Sequence, residues 1–94
     1  MKLSEITKLQ KQNGYFEYQK LINTGDVWKL QGSEGRYAMG LLDCGICYLP
    51  TKRTFDYYGN RIPSRNDLQN GSKGTILNSQ NYWSNENNWE DGNN

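Results

Sequence analysis

Two cysteines three residues apart, Cys44 and Cys47, are the first candidates for chemistry in this sequence. A CxxC pair serves as a redox centre at a helix N-terminus or as half of a zinc site. Here the pair follows the end of a predicted helix, next to Asp43, and both features disfavour a thiolate. The sequence contains no histidine, so zinc would need four sulfurs shared between two copies. We predict buried structural thiols, no metal in the single chain and no cofactor.

A glycine-rich turn at residues 32–36 opens a predicted helix and is a second candidate. Ser33, Gly35 and Arg36 would bind an anion with the free backbone N–H groups of a helix N-terminus. The spacing also resembles the GxxG loop with which KH modules clamp a nucleic-acid backbone. Glu34 within the turn would repel phosphate. A helix cap is therefore the favoured interpretation over an anion site.

The third candidate is the segment 52–73, in which basic residues alternate with aromatic ones. Tyrosine and arginine are enriched at the energetic centres of protein interfaces. The same mixture stacks bases and holds a nucleic-acid backbone. A hairpin with one buried face and one charged, solvated face would also produce it. The candidate partner-binding residues are Lys52, Arg53, Tyr57, Tyr58, Arg61, Arg65 and Lys73.

Several function classes are disfavoured by composition. Without histidine there is no Ser-His or Cys-His nucleophile pair, and no EF-hand, P-loop or HExxH motif is present, so we predict no enzyme. No apolar run approaches the ~20 residues of a membrane span, and the N-terminus lacks the apolar stretch of a secretory signal. The net charge of +1 indicates neither a nucleic-acid binder nor an acidic mimic.

The elements that must position these residues follow from apolar periodicity. The spacing predicts helices near residues 4–13, 15–22, 33–44 and 75–83, with Ser4 and Thr75 as N-caps, and a further turn near Trp28. It predicts strands at 46–49 and 54–58 and a turn after the second strand. Gly35 and Gly40 each cost a helix interior about 1 kcal/mol relative to Ala, which predicts a close-packed neighbour.

This pattern predicts an α+β fold with N-terminal helices, a short antiparallel hairpin or meander, and a C-terminal helix. We expect one domain over residues 1–83, with the third helix packed on the sheet. The acidic, Asn-rich segment 84–94 has one apolar residue and is predicted to be disordered. The predicted core residues are Ile6, Leu9, Tyr18, Leu21, Trp28, Ala38, Leu41, Leu42, Ile46, Phe55 and Ile62.

Over about residues 20–75 the sequence resembles small uncharacterised proteins of tailed bacteriophages and mobile elements. The matching pattern is Gly32-Ser33-x-Gly35-Arg36-x-Ala38-Met39, Gly45-x-Cys47, Asp56-Tyr57-x-Gly59-Asn60-x-Ile62-Pro63-Ser64-Arg65 and Gly71-x-Lys73-Gly74. The resemblance implies a viral accessory protein in the bacterial cytoplasm. Such proteins bind a host or phage protein, and an inhibitor of antiviral defence, similar to an anti-CRISPR protein, is the expected class. The alternative is a small nucleic-acid-binding or regulatory protein that uses segment 52–73.

Overall fold

The computed structural model describes residues 1–30 and 32–93, with side chains described as far as residue 85. Its helices are α1 (Leu3–Gln12), α2 (Phe16–Thr24), α3 (Gly32–Cys44) and α4 (Ile76–Asn93). Strands β1 (Thr54–Phe55) and β2 (Arg61–Ile62) form an antiparallel hairpin, and short 3-10 turns span Asp26–Lys29 and Arg65–Asp67. The predicted α+β class is confirmed, with helices at both ends of the chain.

The first two helices each turn an apolar stripe and one buried amide toward the core. In α1 these residues are Ile6 and Gln10, and in α2 they are Ile22 and Gln19. The predicted N-cap at Ser4 is wrong. Helix α1 begins earlier than that cap allows, and the side chain of Glu5 accepts a hydrogen bond from the backbone N–H of Lys2.

Helix α3 begins at Gly32 and buries Ala38, Leu41 and Leu42, as its periodicity predicts. It packs mainly on the Asp26–Lys29 turn and on α4. The hairpin is not among the main packing partners of α3, because two-residue strands offer little surface, although Ile62 of β2 packs against the core. Gly45 ends the helix with φ +102°, and a Cβ there would lie 2.8 Å from the carbonyl oxygen of Asn78 in α4.

The predicted strand at 46–49 is absent. All four of its residues are buried, but they form an irregular segment in the centre of the molecule. Side chains from the surrounding helices replace a strand partner. The carbonyl of Ile46 accepts hydrogen bonds from Gln10 Nε2 at 2.9 Å and from Trp83 Nε1 at 3.2 Å.

Gln19 in α2 makes a two-way contact with the same segment. Its Nε2 donates to the carbonyl oxygen of Tyr48 at 2.8 Å, and its Oε1 accepts from the Tyr48 N–H at 3.1 Å. Gln10 Nε2 also donates to that Oε1, at 2.9 Å. From α4, the Ser79 hydroxyl donates to the Cys47 carbonyl. Segment 46–49 therefore has hydrogen-bond partners for most of its buried backbone groups without a sheet.

The hairpin is shorter than predicted, and its inner residue is polar. Thr54 pairs with Ile62, and Phe55 pairs with Arg61. Because side chains alternate between faces, Thr54 is buried while Phe55 is 51% exposed. The prediction that Phe55 belongs to the core is wrong.

The rest of the predicted core is confirmed, with two degrees of burial. Ile6, Trp28, Ala38, Leu41, Leu42 and Ile46 are buried, whereas Leu9, Tyr18, Leu21 and Ile62 are half-buried against them. The core also contains residues that the predicted core list omits: Ile22, Val27, Cys47, Tyr48, Leu49 and Trp83. The predicted burial of Cys47 is confirmed.

Helix α4 begins as predicted, because the hydroxyl of Thr75 accepts a hydrogen bond from the backbone N–H of Asn78 at 3.3 Å. The helix continues to Asn93. The predicted disorder of 84–94 concerns a segment that lies mostly outside the described side chains, so it stays a prediction. Within the described chain, no helix is both long and apolar enough to span a membrane.

Candidate protein-binding surface

The turn of the hairpin is held by one carboxylate. Asp56 Oδ1 accepts hydrogen bonds from the backbone N–H groups of Tyr58 and Asn60, at 2.9 and 2.8 Å, and Oδ2 accepts from Asn60 Nδ2 at 3.2 Å. Gly59 adopts φ +82°, a conformation that other residues rarely take. These local bonds fix the backbone of residues 56–60.

A second set of contacts attaches the hairpin to the core. The backbone N–H of Tyr57 donates to the carbonyl oxygen of Trp28 at 3.3 Å, and Trp28 is buried. On the other side, Asp67 joins the hairpin to the chain that follows it. Its carboxylate takes two hydrogen bonds of 2.8 Å from Arg53 and one of 3.0 Å from the Ser64 N–H. The hairpin is therefore anchored at both ends.

Tyr57 and Tyr58, which we call the aromatic tip, project from this anchored turn. Their side chains are 76% and 84% exposed. The two rings contact each other edge to face, with centroids 5.4 Å apart and planes at 84°. Tyrosines bury large areas with few rotatable bonds and carry a polar end, which suits them to protein contacts.

An open cleft of about 380 Å³ lies beside the aromatic tip. Trp28 and Leu30 line it on one side, and Asp56 and the two tip tyrosines line it on the other. Leu30 is itself 47% exposed. The tip and the cleft together form a surface of aromatic and apolar side chains that also carries two charged residues, Lys29 and Asp56.

Two of the predicted contact residues use their guanidinium groups within the chain, Arg53 in an ion pair and Arg65 in a hydrogen bond to a backbone carbonyl. Arg53 pairs with Asp67 through two hydrogen bonds, and this pairing, followed by the Ser64 N–H bond, holds the pKa of Asp67 well below its usual range. Arg65 Nη1 donates to the carbonyl of Leu49 at 3.3 Å, and its guanidinium lies 5.5 Å from the centroid of the Tyr48 ring.

The remaining candidates are exposed but do not lie together. Arg61 is on the hairpin opposite Phe55. Lys52 lines a separate cleft with Pro50 and Tyr48. Lys73 lies beside Leu68 in a third depression. The structure therefore groups Tyr57, Tyr58 and Arg61 on one hairpin and leaves the other cations elsewhere.

The acidic residue of the glycine-rich turn, Glu34, already accepts a hydrogen bond within the chain. Glu34 Oε2 accepts a hydrogen bond of 2.7 Å from the Tyr18 hydroxyl, and this bond, with burial, raises the pKa of Tyr18. A Cβ at Gly32 would lie 3.1 Å from Arg36 Nη1, so the Arg36 side chain extends back over the helix start. The anion site predicted at Ser33, Gly35 and Arg36 thus has a carboxylate in its first turn. It stays a prediction.

The two cysteines differ in environment. Cys47 is fully buried, and burial, with a smaller contribution from Cys44, raises the pKa of its thiol to about 12. Cys44 is exposed, so its predicted burial is wrong; it is in the last turn of α3, where its Sγ lies 3.6 Å from the carbonyl oxygen of Leu41. No group of three or more His, Cys, Asp or Glu residues that could hold a metal ion occurs among the described residues.

Sequence reasoning does not identify Leu30 and Phe55 as exposed apolar residues or Trp28 as the anchor of the tip. The signal for the tip itself is present in the turn Asp56-Tyr57-Tyr58-Gly59-Asn60. Comparisons with models of protein families, with curated proteins and with solved structures found no match.

Proposed function

We propose that this chain is a non-enzymatic, phage-type accessory protein that binds a bacterial host protein through the aromatic tip and Arg61. It acts in the host cytoplasm and inhibits the system to which its partner belongs, with antiviral defence as the leading class. The sequence resemblance supports the viral provenance. The observation that carries the binding role is a pair of exposed tyrosines on an anchored turn.

The cost of binding supports this role. Association loses side-chain and loop freedom, and a contact that is already ordered loses less. The turn bonds of Asp56 and the Tyr57–Trp28 backbone bond order the tip before any partner arrives. Exposed aromatic rings on an ordered backbone are typical of the residues that contribute most to binding energy.

The charge next to the tip indicates the chemistry of the partner. Arg61 is exposed beside Phe55 on the outer face of the hairpin. Arginine pairs with carboxylates through two parallel hydrogen bonds. A partner with an apolar pocket for the two rings and a carboxylate at its rim would complement this surface.

The same observations disfavour nucleic-acid binding. Of the five cations in segment 52–73, Arg53 and Arg65 are engaged within the chain. Asp56 lies in the turn itself, next to the tyrosines. A strand-binding groove needs cations that follow the backbone and remain available to it.

A capture experiment with matched variants tests the proposal. The immobilised chain is incubated with bacterial lysate, and retained proteins are quantified by mass spectrometry. Tyr57→Ser combined with Tyr58→Ser should reduce the retention of a specific partner at least tenfold. Tyr37→Ser is the control, because Tyr37 is about half exposed and packs its ring on Tyr18, away from the hairpin.

If the double variant retains the same proteins at the same level as the unmodified chain, the proposal fails. Nucleic-acid binding is measured in parallel with a labelled single-stranded oligonucleotide at low salt. We expect no binding. Affinity that falls with salt at a slope of about −0.7 per neutralised phosphate would favour the nucleic-acid alternative.

A further inference from the structure

Helix α3 has one exposed face, which forms one wall of an open groove beside the hairpin. Arg36, Met39, Gly40 and Asp43 share this face, which we call the α3 outer face, and all four are exposed. Met39 is 50% exposed. These residues line an open groove of about 660 Å³, whose other lining residues include Trp28, Leu30, Asp56 and Ile62.

Gly40 is an unfavourable residue at its position within the single chain. Glycine in a helix interior costs about 1 kcal/mol relative to alanine. The sequence predicts a close neighbour that would justify this cost, but a Cβ built at Gly40 meets no atom within 4 Å in the described chain. The hollow that the glycine leaves is therefore open to the outside.

Asp43 is a second residue that is unfavourable at its position in the single chain. It lies in the last turn of α3, where the partial negative charge of the helix end disfavours a carboxylate. Arg36 lies two turns earlier on the same face, about 10 Å along the axis. Within the described chain, neither Arg36 nor Asp43 has an ion-pair partner.

The order of these residues makes the face complementary to itself. The face carries a positive charge at one end and a negative charge at the other. A large apolar side chain and a hollow lie between them. If the same helix is placed antiparallel about a two-fold axis between Met39 and Gly40, every feature meets its complement.

We propose that two copies of this chain associate through the α3 outer face, with the two α3 helices antiparallel. Met39 of each copy enters the hollow at the partner subunit's Gly40. Arg36 of each copy faces the partner subunit's Asp43. One helix face is a small contact, so the dimer is weak. The groove along this face adjoins the cleft beside the aromatic tip, since Trp28, Leu30 and Asp56 line both, but Tyr57 and Tyr58 do not line the groove. The tyrosine side chains therefore test the proposed function separately from the dimer.

Sedimentation velocity over about 5 to 500 μM tests the dimer, because this range brackets weak association. The mass of the unmodified chain should rise from 10.9 kDa toward twice that value. Arg36→Glu or Asp43→Arg alone brings like charges together and should weaken association at least tenfold. The two reversals combined restore opposite charges and should restore the dimer.

Gly40→Gln fills the hollow with a good helix former and should abolish association while the chain stays folded. Tyr57→Ser combined with Tyr58→Ser is the control and should leave the dimer intact. Circular dichroism establishes folding of each variant. Should a reversal unfold the chain, the neutral variants Arg36→Gln and Asp43→Asn replace it and should also weaken association.

Any one of three results would overturn the inference. The first is that the unmodified chain stays a monomer at the highest concentration. The second is that folded single-charge variants associate as tightly as the unmodified chain, and the third is that the folded double reversal does not recover association. Loss of partner capture by the tyrosine variant with an intact dimer would separate the two proposals.

Discussion

Gln19 acts as the strand partner that segment 46–49 lacks. Its amide directs one N–H and its carbonyl oxygen at the backbone of Tyr48, as a peptide group does in a sheet, and its second N–H donates to Asn23 Oδ1. The helix supplies a rigid base for this amide. A polar side chain at a fully buried position is consequently part of the core and not an exception to it.

Gln19→Leu should destabilise the fold by at least about 3 kcal/mol, because it leaves the N–H and C=O of Tyr48 buried without partners. Urea denaturation followed by circular dichroism measures the change. Gln80→Leu is the control. Its amide makes an exposed hydrogen bond to the Met1 carbonyl, so a change within about 0.5 kcal/mol is expected. Equal effects of the two variants would show that the buried bonds do not stabilise the fold.

At the scale of elements, helix α3 has a glycine in its interior and another directly after its last residue, and the two differ in the backbone conformation and the space around them. Gly40 has helical geometry and open space around it, whereas Gly45 has φ +102° and touches the backbone of α4. The same substitution at these two positions should therefore have opposite signs.

Gly40→Ala should stabilise the single chain by up to about 1 kcal/mol through helix propensity. Gly45→Ala should destabilise it, because the new methyl group would lie 2.8 Å from the Asn78 carbonyl oxygen. Thermal unfolding at low protein concentration compares the two. Destabilisation by Gly40→Ala would indicate that its surroundings are tighter than the structure shows.

At the scale of the whole molecule, the Arg53–Asp67 pair closes the chain from the hairpin to the turn that follows it. The pair makes stability depend on pH in the acid range. The folded-state pKa of Asp67 lies below its unfolded value of about 3.9, so the unfolded chain binds more protons there. The stabilisation is present above that value and is lost as pH falls below it.

Asp67→Asn should therefore reduce the fall in stability between about pH 5 and pH 2. The urea midpoint at several pH values in this window measures it. Asp26→Asn serves as the control, since Asp26 is exposed and has no ion-pair partner among the described residues. An unchanged acid-side slope in Asp67→Asn would rule out this pair as its source.

How much of the fold the sequence predicts depends on how far apart in sequence the interacting residues lie. The stripe of Ala38, Leu41 and Leu42 and the Thr75 cap are local, and both predictions are confirmed. The apolar run at 46–49 predicts a strand wrongly, because a short apolar run does not show what its backbone binds. Its side-chain partners in helices α1, α2 and α4 lie 29 to 37 residues away in sequence, and Arg65, which donates to the Leu49 carbonyl, lies 16 residues away.

The candidate site also combines features that are local in sequence with features that depend on distant residues. The residue types of Tyr57, Tyr58 and Arg61 mark them as candidate contact residues in the sequence, and the structure shows that all three are exposed. The engagement of Arg53 and Arg65 is not predictable in this way, since it depends on Asp67 and on the Leu49 carbonyl being brought close by the fold. Charge counts alone treat an engaged arginine and a free one as equal.

The hydrogen bonds of segment 46–49 also affect when the chain can fold during its synthesis. When residue 50 leaves the ribosome, the Cys47 carbonyl and the Leu49 N–H still lack their partners Ser79 and Gly74, which are synthesised later. The Ile46 carbonyl has Gln10 as a donor but not yet Trp83. The nascent N-terminal half consequently holds unsatisfied polar groups in what becomes its centre. We expect it to remain incompletely folded until α4 emerges, so that productive folding is largely post-translational and cooperative.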